Sequence, residues 1–278
     1  MNEQMILSVV IVTWNSKNET LACLDSIFGS DDYKLLNEKL EIIIIDNNSS
    51  DGTAKEVSEK YPDVVLIEND VNKGYAPACN QGMIIAKGTY SLLLGSDTVL
   101  KNNALIECIK YLDSNGHCGA VGAKLLYPDG KIQGNCKKFP NLRNAFCTYL
   151  SLDRFNKVYD MASFEYNKTI EVDQIATTFL MVRTDILRNI KYFDEKYKIL
   201  YNDVDLCKRI WNYGSSIVFI HTAVVIHYGN LSTKKADYRI RMQMYKDIYR
   251  YYRANSGIFA FSLIPVLAVR FFLILLFK

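Results

Sequence analysis

Ser8-Val9-Val10-Ile11-Val12-Thr13-Trp14-Asn15 (residues 8–15) is the stretch on which the fold turns. An apolar, β-branched run with no alternation reads as a strand covered on both faces, the habit of parallel sheets. Ser16 and Glu19 then stand at capping-box spacing, and Leu21, Leu24, Ile27 and Phe28 make a helical apolar stripe. Ile42–Ile45 repeats the buried-strand pattern before Asp46-Asn47-Asn48-Ser49-Ser50-Asp51-Gly52, and Val64–Ile67 supplies a third strand. Pro77 suits the first turn of a further helix that Gly88 can stop. Tyr90–Leu94 is a fourth strand, ending in Gly95-Ser96-Asp97. Alternation of this kind builds right-handed crossovers and an open, mostly parallel α/β sheet.

In such sheets ligands sit beyond the carboxyl ends of the strands. Polar clusters fall there in series: Thr13-Trp14-Asn15, Asp46-Asn47-Asn48, Asn72-Lys73-Gly74-Tyr75 and Ser96-Asp97. The loop after the first strand has no glycine, so G-x-G-x-x-G is absent, as is the Gly-Lys-Ser/Thr ending of a P-loop. The rim therefore offers side chains to a base or ribose and lacks a backbone cradle for phosphate.

The second half changes character. Ala120–Tyr127 and Lys131–Gln133 flank Pro128-Asp129-Gly130 and read as a hairpin. Residues 137–170 show no clear period and are expected to be rich in loops. Thr177–Val182 reads as a strand, Asp203–Tyr213 as a helix stopped by Gly214, and Ser216–Ile220 and Val224–His227 as two strands.

The 278 residues, 49% hydrophobic with only 5 prolines, exclude a disordered or collagen-like chain. A net charge of +3 excludes nucleic acid as an expected partner. Residues 234–253 nevertheless set seven basic side chains against two acidic ones, so basic character belongs to the tail. Seven cysteines, none at C-x-x-C spacing, point to a reducing compartment, and Met1-Asn2-Glu3-Gln4 lacks the basic region of a secretory signal.

Single residues leave alternatives open. Asp46 can accept from a nucleobase N–H or form an Asx-turn. Asp97 can give hard oxygen to Mg²⁺ or Mn²⁺, or cap the next segment. Asp203 and Asp205 open a helix, where Asp commonly caps; being two apart, only one of them easily faces a cleft. His227 can complete a metal shell or stay a hydrogen-bonded surface residue. His221 reads as structural, and His117 carries no signal.

Together these segments resemble family 2 glycosyltransferases of the A-type fold, in the branch with bacterial rhamnosyltransferases. The likeness rests on residues 9–15 and 45–53; on Asn69-x-x-Asn72-Lys73-Gly74-Tyr75 with Asn80; and on Tyr201-Asn202-Asp203-Val204-Asp205-Leu206-Cys207-x-Arg209, followed by Val225-Ile226-His227. The resemblance implies an inverting transferase that moves a sugar, rhamnose among the candidates, from a nucleotide-diphosphate-sugar to a hydroxyl of a polysaccharide or lipid-linked glycan. It places Thr13, Asn15, Asp46, Asn48, Asn72, Gly74, Asn80 and Ser96 at the donor, Asp97 and His227 on a divalent metal (Mg²⁺ or Mn²⁺), and Asp203 as catalytic base. Two positions depart from the family pattern. Gly95 replaces the first acidic position of the D-x-D-like motif, which thins the metal shell. Asn202 replaces an acidic neighbour of the base, which is expected to leave Asp203 less raised in pKa. A sugar-nucleotidyltransferase and a catalytically degenerate binding or scaffold homologue are the alternatives.

On this reading residues 1–233 form the catalytic unit, with 1–115 binding the nucleotide and 116–233 supplying acceptor contacts and the base. Residues 234–278 form a membrane-associating tail. Ile258–Phe277 is nearly all apolar, broken by Pro265 and Arg270, and the tyrosine-rich basic stretch before it suits anionic headgroups. The expected location is cytoplasmic, peripheral on the inner face of the cell membrane. Packing of the tail on the catalytic unit or on a second copy in a homodimer is the alternative.

Overall fold

A computed structural model describes residues 5–101, 103–229 and 238–276. Lys234, Lys235 and Phe277 of the basic and apolar tail therefore lie outside the described residues. The first half alternates as its apolar runs require: β1 (Leu7–Thr13), α1 (Lys17–Phe28), α2 (Asp31–Leu36), β2 (Leu40–Asp46), α3 (Thr53–Lys60), β3 (Val65–Glu68), α4 (Tyr75–Ile85) and β4 (Tyr90–Gly95). β5 (Thr98–Leu100), α5 (Ala104–Ser114), β6 (Cys118–Leu126), β7 (Ile132–Gln133), β8 (Cys136–Lys137) and α6 (Leu142–Tyr149) follow. Then come β9 (Ile170–Glu171), β10 (Gln174–Ile175), β11 (Phe179–Arg183), α7 (Thr184–Asn189), α8 (Asn202–Asn212) and β12 (Ser216–His227). The tail holds α9 (Tyr238–Ser256), a 3-10 turn (Gly257–Leu263) and α10 (Ile264–Leu276).

The main sheet runs β3-β2-β1-β4-β11-β6-β12-β5, with β7 on β6 and β9 on β12. Strands β3, β2, β1 and β4 are parallel, whereas β11 is antiparallel to both β4 and β6. One sheet thus crosses from the first half into the second. The expected hairpin forms, pairing Leu125 with Gln133 and Leu126 with Ile132. The two strands expected over 216–227 are one, bent by a register shift between Ile220 and Val224.

Alternate residues of the apolar runs feed opposite layers, which is why the runs show no alternation. Val9, Ile11, Ile42 and Ile44 pack with Leu24, Ile27 and Leu105 of α1 and α5. Val10, Ile43 and Ile45 pack with Met83 of α4 and Leu206 of α8. Helix α4 lies so close that a Cβ at Gly82 would stand 2.6 Å from Val10 Cγ1. All seven cysteines are buried free thiols.

One local expectation is corrected. Ser16 makes no capping bond; its hydroxyl instead lies 2.9 Å from Thr13 Oγ1. The stretch 137–170 contains α6, started by Asn141 and Asn144 in a reciprocal cap that the S/T-x-x-E template does not describe. The tail also packs on the catalytic unit: Ile248, Tyr251, Tyr252, Leu263 and Leu267 share a cluster with Ala145, Tyr197 and Val204. Arg270 is drawn in as well, donating through Nη1 to the carbonyls of Thr148 and Tyr149, both at 3.0 Å.

Candidate active site

The carboxyl ends of β1, β2 and β4 open onto a cleft of about 530 Å³. Thr13, Trp14, Asn47, Asn72, Lys73, Gly74, Tyr75 and Ser96 line it from the sheet side, and Lys198 and Ile199 from the loop before α8. Arg239, Ile240, Gln243 and Met244 of α9 close it from the tail. Among the described residues the lining holds three cationic side chains and no carboxylate, which favours an anionic occupant.

Among the residues expected at the donor, Thr13, Asn72, Gly74 and Ser96 meet in this cleft. The others stand behind it. Asn15, at φ 50°, accepts through Oδ1 from Ser50 N–H at 2.7 Å and so ties the β1–α1 loop to the β2–α3 loop. Asn48, at φ 68°, is exposed beside that junction. Asn80 is spent inside the protein, exchanging hydrogen bonds with the Phe193 backbone and donating to Glu195 Oε1 at 2.9 Å. Asp46 is 3% exposed. Its Oδ2 accepts from Ser49 N–H in the Asx-turn, while Oδ1 is buried with no hydrogen-bond partner. An orphaned buried acceptor at the carboxyl end of a strand that opens on the cleft calls for a further hydrogen-bond partner.

The residue that organises the cleft floor is Asn47, which sequence reasoning did not single out. Its Nδ2 donates to Asn72 Oδ1 (2.9 Å) and the Gly74 carbonyl (3.3 Å), and its Oδ1 accepts from Lys73 N–H (3.0 Å) and Asn69 Nδ2 (3.2 Å). The two-residue pleat was the available signal: Ile43, Ile45 and Asn47 share the face that α4 covers. Gly74 is required there, since at φ 91° an L side chain is strained and a Cβ would meet Lys198 at 3.2 Å.

Asp97 and His227 are remote in sequence and adjacent in space. His227 Nε2 lies 3.2 Å from Asp97 Oδ1, because β12 pairs with β5 and brings His227 opposite Thr98. Gln133 Oε1 stands 2.7 Å from His227 Nδ1. With Nδ1 donating to that amide oxygen, Nε2 turns toward the carboxylate, and two electron-rich atoms at this distance need a proton or a cation between them. The pair therefore fits a divalent metal. Among the described residues no group of three His, Cys, Asp or Glu side chains exists to enclose one. The remaining coordination would fall to water and ligand oxygens. Gly95 contributes space instead of a ligand: a Cβ there would crowd Asp97 Oδ1 at 3.2 Å.

Asp203 and Asp205 separate cleanly. Asp205 is held by Arg209 Nε at 2.7 Å, and the same guanidinium donates to the carbonyls of Ile190 and Tyr192. Asp203, at the start of α8, accepts from Val204 N–H at 2.8 Å. Burial pushes its pKa above the ordinary aspartate range, against the pull of that bond and of the Lys137 charge. Desolvation thus raises the group, and with Asn202 in place of an acidic neighbour no adjacent carboxylate adds to the rise. No hydrogen bond or ion pair joins Asp203 to Asp97 or His227 among the described residues. Its link to the cleft runs through Asn202, whose Oδ1 accepts from Asp203 N–H at 2.7 Å and whose Nδ2 donates to the carbonyl of Ile199, a lining residue, at 3.1 Å.

Residues 8–190 match the model of glycosyl transferase family 2. The chain is 26% identical over 246 residues to an N-acetylglucosaminyl-diphospho-decaprenol L-rhamnosyltransferase of Mycobacterium tuberculosis, covering 82% of this chain and 78% of that protein. It is 26% identical over 222 residues to rhamnosyltransferase WbbL of Escherichia coli, with 73% and 81% covered. The structure of GalNAc-T7 with UDP, GalNAc and Mn²⁺ superposes with a TM-score of 0.65 at 15% identity, over 90% of this chain and 48% of that one. That likeness shows the A-type fold. Its match spanning most of the sheet, this chain belongs to glycosyl transferase family 2 and is a glycosyltransferase acting on nucleotide-sugars.

Proposed function

We propose that the chain inverts the anomeric carbon of a nucleotide-diphosphate-sugar as it transfers the sugar to a hydroxyl of a lipid-linked or polysaccharide acceptor. The observation that carries this is the raised carboxyl of Asp203 at the start of α8, next to a cleft whose lining is cationic. A base for an alcohol gains from a pKa lifted toward neutrality. Asp203 takes the hydroxyl proton as that oxygen bonds to the anomeric carbon, and the bond from that carbon to the diphosphate oxygen breaks, its electrons leaving with the nucleotide. Asp46 Oδ1 accepts from the base or ribose, and Thr13, Asn72 and Ser96 border the donor. Lys73, Lys198 and Arg239 stabilise charge that grows on the diphosphate. Asp97 and His227 would hold a divalent cation, which would supply positive charge to the leaving diphosphate. Rhamnose is the sugar favoured by the two relatives named above.

The division into 1–115, 116–233 and 234–278 stays a functional proposal, since the sheet is shared. The tail is proposed to rest on the inner face of the cell membrane. Ile258, Phe259, Phe261, Ile264, Val269 and Phe272 are each at least 45% exposed on the segment that packs on α6. Arg239–Phe272 is also long and apolar enough to cross a membrane by length and composition. Arg270, pinned to α6, favours a segment that lies on the surface.

The test is release of nucleoside diphosphate, and transfer, across dTDP-, UDP- and GDP-sugars with Mn²⁺, Mg²⁺ or EDTA. Turnover with one donor, lost in EDTA and in His227→Ala, is the expected result. Nucleotide binding with no turnover on any donor would instead make the chain a binding homologue.

A further inference from the structure

Asp247 lies on α9, outside every motif of the catalytic unit, yet its side chain is fully buried. A buried carboxylate must be satisfied, and the donors here are informative. Oδ2 accepts from the backbone N–H groups of Ile199 (2.8 Å) and Leu200 (3.1 Å), and Oδ1 from Gln243 Nε2 (2.6 Å). Arg250, one turn on, donates to the Lys196 carbonyl at 2.8 Å and stands 3.7 Å from Asp247 Oδ1. The tail helix therefore grips residues 196–200 from one side.

That short segment reaches the site at both its ends. The Lys198 carbonyl accepts from Tyr75 N–H at 2.9 Å, so it satisfies the first turn of α4 directly after the Asn72–Gly74 loop. The Ile199 carbonyl accepts from Asn202 Nδ2 at 3.1 Å, and Asn202 Oδ1 in turn accepts from Asp203 N–H at 2.7 Å. Tyr201 sits between them at φ 63°, packed on Tyr251 at 4.6 Å between ring centroids. One carboxylate on the tail thus stands two hydrogen bonds from the donor loop and three from the proposed base. Helix α9 also supplies Gln243, which both bonds Asp247 and lines the cleft.

We infer that Asp247 is a positioning residue: through the 198–200 turn it sets the donor loop and Asp203 together, making the tail a working wall of the active site as well as a membrane contact. The inference deepens the proposed transferase reading and rests on it for its kinetic consequence. Its structural consequence can be measured without turnover.

Asp247→Asn and Asp247→Ala, in the full chain, are compared with Leu263→Ala, which weakens the same tail cluster and leaves the Asp247 hydrogen bonds to Ile199 and Leu200 in place. Amide hydrogen exchange at Tyr75, Ala76, Ile199 and Leu200 is expected to speed up in Asp247→Ala and stay at the wild-type rate in Leu263→Ala. Per folded molecule, kcat falls about ten-fold or more in the Asp247 variants and donor KM rises several-fold, because misplacing a base and a donor loop costs rate and binding together. Leu263→Ala keeps both constants. Wild-type exchange in Asp247→Ala, or an equal loss per folded molecule in Leu263→Ala, overturns the inference. A wild-type chain inactive on every donor would instead sink the transferase reading and leave the exchange comparison to judge Asp247 alone.

Discussion

Asp203→Asn should move turnover and stability in opposite directions. Removing a general base typically costs 10²–10⁴-fold, so kcat for transfer should fall by about that much while nucleotide affinity holds. Stability should rise, because the native Asp203 carboxyl is desolvated and its folded pKa lies above the ordinary aspartate range. A carboxyl raised on folding holds its proton more tightly in the folded state. Its contribution is fully present below the unfolded pKa and is lost as pH climbs through the folded one. At neutral pH the wild type thus carries a desolvated charge that the amide does not. Asp203 is only half-buried, so the difference is on the order of 1 kcal/mol and well short of the several kcal/mol of a fully buried ion. For a chain of this size that corresponds to roughly 2–4 °C in Tm. Asparagine keeps an oxygen for Val204 N–H, so the helix start is preserved. Melting both proteins from pH 4 to pH 8 should show a gap that closes toward acid and opens toward neutrality. A variant no more stable at pH 8, or one that turns over near the wild-type rate, would remove Asp203 from the role.

Asp46→Asn keeps the Ser49 turn but turns one oxygen into an amide, and nucleotide Kd by calorimetry should weaken about ten-fold, the value of a charged hydrogen bond at the low end. Phe259→Asp with Phe272→Asp should abolish sedimentation with anionic vesicles while turnover on a water-soluble acceptor is unchanged, and retained sedimentation would refute surface docking by this segment.

Reading the architecture from the chain works where burial is two-sided. Val9–Val12 and Ile42–Ile45 have no polar face to offer, so they can only be central strands, and their ends fix the ligand rim. The proposed metal pair is legible in type only: Asp97 and His227 meet because β12 pairs with β5, a long-range register that local spacing does not encode. Asn80 shows the converse, a residue at the right spacing whose amide is used up on the 193–195 loop. Helix α6 was hidden, and the tail packing stood as one of two alternatives, because aromatic side chains serve equally as core or as interface. Only the partners, Tyr201 and Tyr197 against Tyr251, decide between the two.

The seven enclosed thiols give the chain a practical property. Burial lifts Cys23, Cys79 and Cys207 to about 12, so at neutral pH they hold almost no thiolate. Maleimide dyes should pass the native protein by. A cysteine introduced at exposed Asn48 and another at exposed Phe272 would then be the reactive pair, and fluorescence transfer between them would report whether the apolar appendage shifts against the strand-end rim when vesicles are added.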